Sequence, residues 1–219
     1  VLSGPTLSAS TVVVGDTLIC AATATDADLD SVSITYAWSD SSTGATYTVT
    51  ETDDPSDLIT CTATADDGDG GAVTGTASAT VDNTDPTIDS IAVDPTTGKV
   101  GDTLTCSATA SDDDGGTPTI TYAWSTGATG DTYTVAASDD PGDTITCTAT
   151  ATDADLGTDT DTASATVDNT DPTIDSIAVD PSSGPVGQAL TCSATASDAD
   201  GGGADGLGRG RTSSDAVCM

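Results

Sequence analysis

Through most of the chain, Thr alternates with small or apolar residues. DTLICAATAT (16–25), VSITYAW (32–38), ATYTVT (45–50), LITCTATA (58–65) and TGTASATV (74–81) all place an apolar side chain at every second position. A period of two sends one set of side chains to a core and the other to solvent, so each segment predicts a half-buried β-strand. The Thr and Val enrichment favours the same state. Clusters of Gly, Pro and Asp separate the segments at intervals of roughly ten residues, the spacing of a two-sheet sandwich. No segment carries a 3.6-residue apolar period, and the expected fold class is all-β.

The pattern then repeats. Cys20, Cys106 and Cys192 stand 86 residues apart, as do Trp38 and Trp124, Cys61 and Cys147, Tyr36 and Tyr122, and Tyr47 and Tyr133. SATVDNTDPTIDSIAVDP occurs letter for letter at 78–95 and at 164–181. One domain is therefore used in tandem. We place repeat 1 at 1–85, with its start truncated, repeat 2 at 86–171, and an incomplete third repeat at 172–219. Val1 enters in mid-pattern, so we expect a piece of a longer protein. After SATASDADGG the third repeat should run on to a strand bearing Trp, yet GADGLGRGRTSSDAVCM has no β pattern, and we expect this tail to be disordered. Half a sandwich cannot bury its core, so the third repeat should be poorly ordered.

Composition narrows what such repeats can be. Hydrophobic residues make up 35% of the 219, with no Phe and no His, too little bulk for one large core but enough for several small ones. The formal charge is −33, with 36 acids set against Lys99, Arg209 and Arg211. That balance excludes nucleic acid, whose phosphates need clustered Lys and Arg, and disfavours an anionic membrane surface. No apolar run is long enough to span a bilayer. All but one of the acids are Asp, the exception being Glu51. Asp is the carboxylate of turns and of oxygen-ligand cation sites, since its short side chain holds the charge close to the backbone.

The cysteines lack the short spacing of a zinc site and the Cys-x-x-Cys of redox catalysis, which leaves structural disulfides and an oxidising, extracytoplasmic compartment. Taking TLICAAT as strand B, ITYAW as C, TYTV as E and ITCTATA as F puts one Cys on each sheet with Trp between them. This resembles the immunoglobulin-like (Ig-like) sandwich, in which a B–F disulfide packs on a strand C Trp. The resemblance covers both full repeats and the start of the third. It implies tandem seven-stranded Greek-key β-sandwiches, bonds Cys20–Cys61 and Cys106–Cys147, and core roles for Trp38 and Trp124. Only 23 residues separate Trp38 from Cys61, which points to a compact version without extra strands. Either Trp could instead serve as a glycan-stacking platform.

On this frame the acids fall in loops. Asp26 and Asp28, Asp112 and Asp114, and Asp198 and Asp200 follow strand B. Asp67 and Asp69, and Asp153 and Asp155, follow strand F. Asp53, Asp54 and Asp57, with Asp139, Asp140 and Asp143, precede strand F. Asp82, Asn83 and Asp85, with Asp168, Asn169 and Asp171, follow strand G. The topology predicts that the EF acids of one repeat, the linker acids, and the BC and FG acids of the next repeat converge. Such a concentration of carboxylates without a counter-ion opposes folding, and calcium takes six to eight oxygens of these types in tolerant geometry.

ATDADLDSVSITY and ASDDDGGTPTITY also resemble the Ala-x-Asp-x-Asp-x-Gly segment of cadherin repeats, and ASATVDNTDPTI resembles the cadherin linker. In cadherins these segments coordinate calcium, which implies that role for Asp82, Asn83, Asp85, Asp112 and Asp114. The linker here is shorter, and Asp-Asp-Pro-x-Asp replaces the cadherin Asp-Arg-Glu. As a whole the chain resembles tandem Ig-like or cadherin-like repeats of large bacterial and archaeal surface proteins of the adhesin type. We expect calcium at the junction of repeats 1 and 2 (Asp53, Asp54, Asp57, Asp82, Asn83, Asp85, Asp112, Asp114, Asp153, Asp155). We expect it also at the junction of repeats 2 and 3 (Asp139, Asp140, Asp143, Asp168, Asn169, Asp171, Asp198, Asp200) and on the N-terminal face (Asp26, Asp28, Asp67, Asp69). The competing reading is a set of turn-forming Asp residues on a salt-adapted surface.

No residues here assemble a catalytic site: there is no His, no activated nucleophile and no phosphate-binding Gly loop on a helix. The expected function is a calcium-clamped stalk of a secreted or cell-surface protein, whose partners are its neighbouring repeats and a surface glycan or protein reached through other regions. The alternatives are a carbohydrate- or protein-binding module of a secreted enzyme, and a subunit of an extracellular filament or surface layer.

Overall fold

In the computed structural model, residues 1–200 are described. Each stretch of Thr alternation becomes a strand, and no helix occurs among these residues. The first repeat contains β1 (Leu2–Leu7), β2 (Thr11–Val12), β3 (Thr17–Ala24), β4 (Ser33–Trp38), β5 (Thr46–Thr48), β6 (Leu58–Asp66) and β7 (Ala72–Val81). They form two sheets, ordered β1-β3-β5 and β2-β7-β6-β4. The second repeat copies this with β8 (Thr87–Asp94), β9 (Thr97–Gly98), β10 (Thr103–Ser111), β11 (Thr119–Trp124), β12 (Thr132–Thr134), β13 (Thr144–Thr152) and β14 (Thr158–Val167). Their orders are β8-β10-β12 and β9-β14-β13-β11.

These are the A-B-E and A′-G-F-C sheets of an Ig-like sandwich, as expected. The seventh strand comes from an edge strand split into A and A′, whose A′ part pairs in parallel with strand G at Thr11↔Thr80 and Val12↔Val81. Among the described residues neither complete repeat has a strand D. Trp38 N–H donates to the Ser42 carbonyl at 2.8 Å, so the chain turns directly from C toward E, leaving no length for another strand.

The register brings the cysteines and Trp together. Trp38 lies opposite Cys61 across β4 and β6, and Leu7 lies opposite Cys20 across β1 and β3. Disulfides Cys20–Cys61 and Cys106–Cys147 each close 41 residues of sequence separation. In the chain-entropy account, such a loop closure stabilises by roughly 3–4 kcal/mol. Trp38 and Trp124 are each 4% exposed, and their indole N–H groups donate to the carbonyls of Gly44 and Gly130 at 2.9 Å. Each indole is thus buried with its one polar atom satisfied, which excludes both as glycan platforms.

The chain divides into two compact units. The first is Val1–Asp89 with Ala110–Ile120 and Ala151–Asp159, and the second is Ser90–Thr109, Thr121–Thr150 and the chain from Thr160. Each has its own core, one around Leu18, Trp38, Val49 and Val81, the other around Leu104, Trp124, Val135 and Val167. The BC and FG loops of the second repeat thus belong to the same unit as the first repeat and its linker. The third repeat contributes an antiparallel pair, β15 (Thr173–Asp180) and β16 (Thr191–Ser197), whose residues are mostly exposed. Cys192 on β16 is disulfide-bonded. The tail expected to be disordered, Cys218 included, lies outside the described residues.

Candidate metal centre

The linker leaves β7 in a fixed direction because Asp82 N–H donates to the Val12 carbonyl at 2.7 Å. The next two residues are half-buried against two loops of the same compact unit. Asn83 Nδ2 donates to Asp153 Oδ2 at 3.0 Å, and Thr84 N–H donates to Asp114 Oδ2. Both acceptors are held in place by their own turns. Asp112 Oδ1 accepts the Asp114 N–H at 3.0 Å, and Asp153 Oδ1 accepts the N–H groups of Asp155 and Gly157, each at 2.8 Å. Such Asx turns account for the recurring Asp-x-Asp spacing.

Gly157 permits the closest approach. A Cβ there would stand 2.6 Å from Asp85 Oδ1 and 2.7 Å from Asn83 Nδ2, and would also meet Asp153 Oδ2. Asn83, Asp85 and Asp153 therefore converge over one backbone position that has no room for a side chain. Beside them opens a cleft of about 370 Å³ whose acidic lining is Glu51, Asp54, Asp112, Asp114, Asp153 and Asp155.

Three oxygens in this region are buried without a hydrogen-bond donor: Asn83 Oδ1, Thr84 Oγ1 and Asp114 Oδ1. Asp114 as a whole is 8% exposed. An unsatisfied buried oxygen costs about 1–3 kcal/mol, and more when it belongs to a carboxylate, so native structures rarely leave three in one place. The one basic side chain among the described residues, Lys99, lies elsewhere, in the turn where its N–H meets Asp102. An amide oxygen, a hydroxyl and a carboxylate are hard donors of the kind calcium takes. This donor set therefore fits a cation, and the fit rests on mixed donors: among the described residues, no three Asp or Glu side chains are gathered into a ready cage.

The electrostatics separate two acids of this site. Burial pushes the Asp112 carboxyl above its ordinary range, and the charges of Asp114, Asp153 and Asp113 add to the shift against the hydrogen bond from Asp114 N–H. For Asp153 burial is also the largest single influence. It is outweighed by hydrogen bonds from the Asn83 amide and from the N–H groups of Gly157, Asp155 and Leu156, which hold the carboxyl below its ordinary range.

The second copy of the linker reproduces part of this. Thr170 N–H donates to Asp200 Oδ2 at 2.7 Å, Thr170 Oγ1 is buried without a partner, and Asp200 is 3% exposed. A hydrogen bond to Asp200, with burial and that neighbour's charge, raises the Asp198 carboxyl. Asn169, Asp168 and Asp171 are exposed.

Several other candidates are held by their own loops. Asp53 accepts from the Tyr47 hydroxyl at 2.8 and 2.9 Å and from Thr50 N–H at 2.9 Å. Asp139 likewise accepts from Tyr133 at 2.7 Å and from Ala136 N–H at 2.8 Å. Burial and the facing carboxylate raise both phenols. Asp57 and Asp143 close the EF turns by accepting from the N–H groups of Asp54 and Asp140. Asp54 alone of the first EF trio also lines the cleft. On the N-terminal face, Asp26 and Asp67 form the same Asx turns with Asp28 and Asp69. Glu51, Thr84 and Asp159 were not singled out from sequence, although Glu51 lines the cleft and Asp159 Oδ2 accepts the Ile88 N–H at 2.8 Å. The signal for Thr84 was available, since it sits inside the repeated DNTD.

The strand order, the B–F disulfides and the acid-lined linker define the class: tandem Ig-like sandwiches joined by Asx-rich linkers. No protein-family model matches the chain, and no curated protein matches its sequence. Among solved structures it is similar to "Sidekick-1 immunoglobulin domains 1-5", at 15% identity and TM-score 0.41, over 90% of this chain and 46% of that one. It is also similar to the insect immune protein hemolin, at 13% and 0.38, over 75% and 47%. A third is "PcdhgB3 EC1-4", at 14% and 0.35, over 89% and 58%. The chain thus spans about half the length of the Sidekick-1 and hemolin chains.

Proposed function

We propose that this protein is a structural spacer of a secreted or cell-surface protein, in which calcium binds where a linker meets the BC and FG loops that follow it. The observation that carries this reading is the group of buried, unpartnered oxygens on Asn83, Thr84 and Asp114. Those three atoms, with Asp85, Asp112 and Asp153 nearby, would hold the ion. The ion would supply the positive charge that the described residues of this site lack. The chain's own contribution is orientation: Asx turns aim Asp114 and Asp153 at the linker, and the bare backbone at Gly157 lets Asn83 and Asp85 approach. Thr170 and Asp200 offer the same pairing to a second ion. The disulfides Cys20–Cys61 and Cys106–Cys147 support a setting in an oxidising compartment outside the cytoplasm, where such bonds persist. Its work is mechanical: it holds other parts of the protein at a distance, with no catalytic step.

The test is calorimetric melting of the full chain in chelator and in millimolar calcium, with Thr84→Val beside the wild type. Calcium at a hundredfold excess over its Kd should stabilise by about 2.7 kcal/mol. Thr84→Val removes a hydroxyl that has no partner, so it should leave the melting temperature in chelator unchanged or raised while weakening the calcium response. A calcium response absent in the wild type, or equal in both proteins, overturns the proposal.

A further inference from the structure

Glu51 is the one acid in the chain that is not Asp, and the residue 86 positions on, in the second repeat, is Ala137. The other acids of this loop are kept, since Asp53, Asp54 and Asp57 recur as Asp139, Asp140 and Asp143. The two EF loops therefore differ in carboxylates at this position alone.

The fold gives the extra carboxylate something to meet. Glu51 stands in the turn after β5, exposed, and lines the cleft of about 370 Å³ together with Asp54, Asp112, Asp114, Asp153 and Asp155. The BC loop of the second repeat, part of the same compact unit, passes beside it. A Cβ at Gly115, whose φ of +88° favours glycine, would lie 3.4 Å from the Glu51 carbonyl oxygen and 3.9 Å from the Glu51 Cβ.

A separate sign of a ligand comes from Asp114, which lines this cleft while 8% exposed and has an Oδ1 with no hydrogen-bond partner. Glu51 differs from the Asp residues around it in freedom and reach. Asp53, Asp57, Asp112 and Asp153 each commit an oxygen to a backbone N–H of their own loop, as a short side chain close to the backbone does. No described residue donates a hydrogen bond to the Glu51 carboxylate.

We propose that Glu51 sets the preference for calcium over magnesium at the junction of repeats 1 and 2, reaching into the cleft from the EF loop as an additional ligand. Calcium takes six to eight oxygens and accepts a carboxylate through both of its oxygens, whereas magnesium keeps several waters and uses one or two carboxylates. A longer side chain entering from the facing loop adds oxygens without disturbing the Asx turns that hold Asp112 and Asp153. The inference rests on the calcium reading of this site and extends the site to a loop of the preceding sandwich. Ala137 offers no such oxygen.

The test is isothermal titration calorimetry of the full chain with calcium chloride and, separately, with magnesium chloride carried to saturation. Wild type is compared with Glu51→Gln, Glu51→Asp and Thr84→Val, the last marking the calcium event that belongs to this site. Because Glu51 is exposed, both of its variants should melt with the wild type in chelator. Each should weaken that calcium event about tenfold or more and change magnesium affinity by less than about twofold. Glu51→Asp keeps the charge and loses the reach, so full calcium affinity in that variant overturns the proposal. Unchanged calcium affinity in Glu51→Gln, or equal losses for the two metals, also overturns it. In each of these cases the calcium reading stands if Thr84→Val still weakens binding, whereas a wild type that takes up no calcium removes both.

Discussion

TIDSIAVD forms β8 at 87–94 and β15 at 173–180, the same eight residues in two settings. In the first, Val93 is 5% exposed and Leu104 on the adjoining strand is 1% exposed; in the second, Val179 is 47% and Leu190 57% exposed. Ile174 and Ile177 stand 73% and 69% exposed. β8 pairs with β10 and β15 with β16, equivalent partners in the two copies, so the alternating pattern suffices to make a strand and choose its neighbour. It does not suffice to bury it. Burial needs the second sheet, and among the described residues only the two complete repeats have one. A two-stranded pair is at best marginally stable alone, so the energetic meaning of an identical residue differs between the copies.

The largest test of that difference is Leu104→Ala beside Leu190→Ala. Leu104 fills a closed core, and its truncation should cost about 2–5 kcal/mol. Leu190 leaves little to lose, and its truncation should stay within about 0.5 kcal/mol. Urea unfolding of the full chain checks both, and equal losses would show that Leu190 is covered in solution.

A second contrast sets Tyr133 against Tyr47. Asp139, which accepts the Tyr133 hydroxyl, is 7% exposed, while Asp53, which accepts from Tyr47, is only half-buried. Removing a donor from a buried acceptor costs more than removing it from a wet one, so Tyr133→Phe should lose about 1–3 kcal/mol and Tyr47→Phe less. The raised phenols set the pH dependence. Because the folded state holds each proton more tightly than the unfolded chain does, this stabilisation is full below the ordinary tyrosine value of about 10 and is lost as pH rises through the raised folded value. The gap between wild type and Tyr133→Phe should therefore narrow above about pH 10, which alkaline denaturation curves measure. A gap constant with pH would break the assignment of Tyr133 to Asp139.

The 86-residue period, the strands B, C, E and F and the loop position of every candidate ligand acid were legible in the sequence because each is local or periodic, and the disulfides because the Cys-Trp-Cys order resembles that of the Ig-like sandwich. What escaped it depends on side-chain direction. Asp53 and Asp54 are neighbours in an EF turn, yet one turns inward to a tyrosine and the other toward the cleft. No pattern in DDPSD distinguishes them, since the choice is made by Tyr47 six residues earlier on strand E. Glu51 was passed over because it stands apart from every Asp-x-Asp repeat. The split of the first strand into A and A′ was missed for a similar reason: β2 is two residues long, and only its pairing with the end of β7 defines it.

The smallest expected effect is also the most specific to the linker. Asn83 and Asn169 occupy the same position in identical phrases, but Asn83 is half-buried and donates to Asp153, whereas Asn169 is exposed. Asn83→Ala removes one hydrogen bond to a carboxylate, a loss of about 1 kcal/mol, and Asn169→Ala should fall near zero. In chelator the loss at Asn83 should be reduced, because the same truncation also removes the unpartnered buried Oδ1. In calcium it should be larger, since that oxygen then has a cation to lose. If the melting shift from Asn83→Ala matches that from Asn169→Ala in both conditions, the surroundings of the two phrases are equivalent in solution, and the contrast drawn from their burial fails.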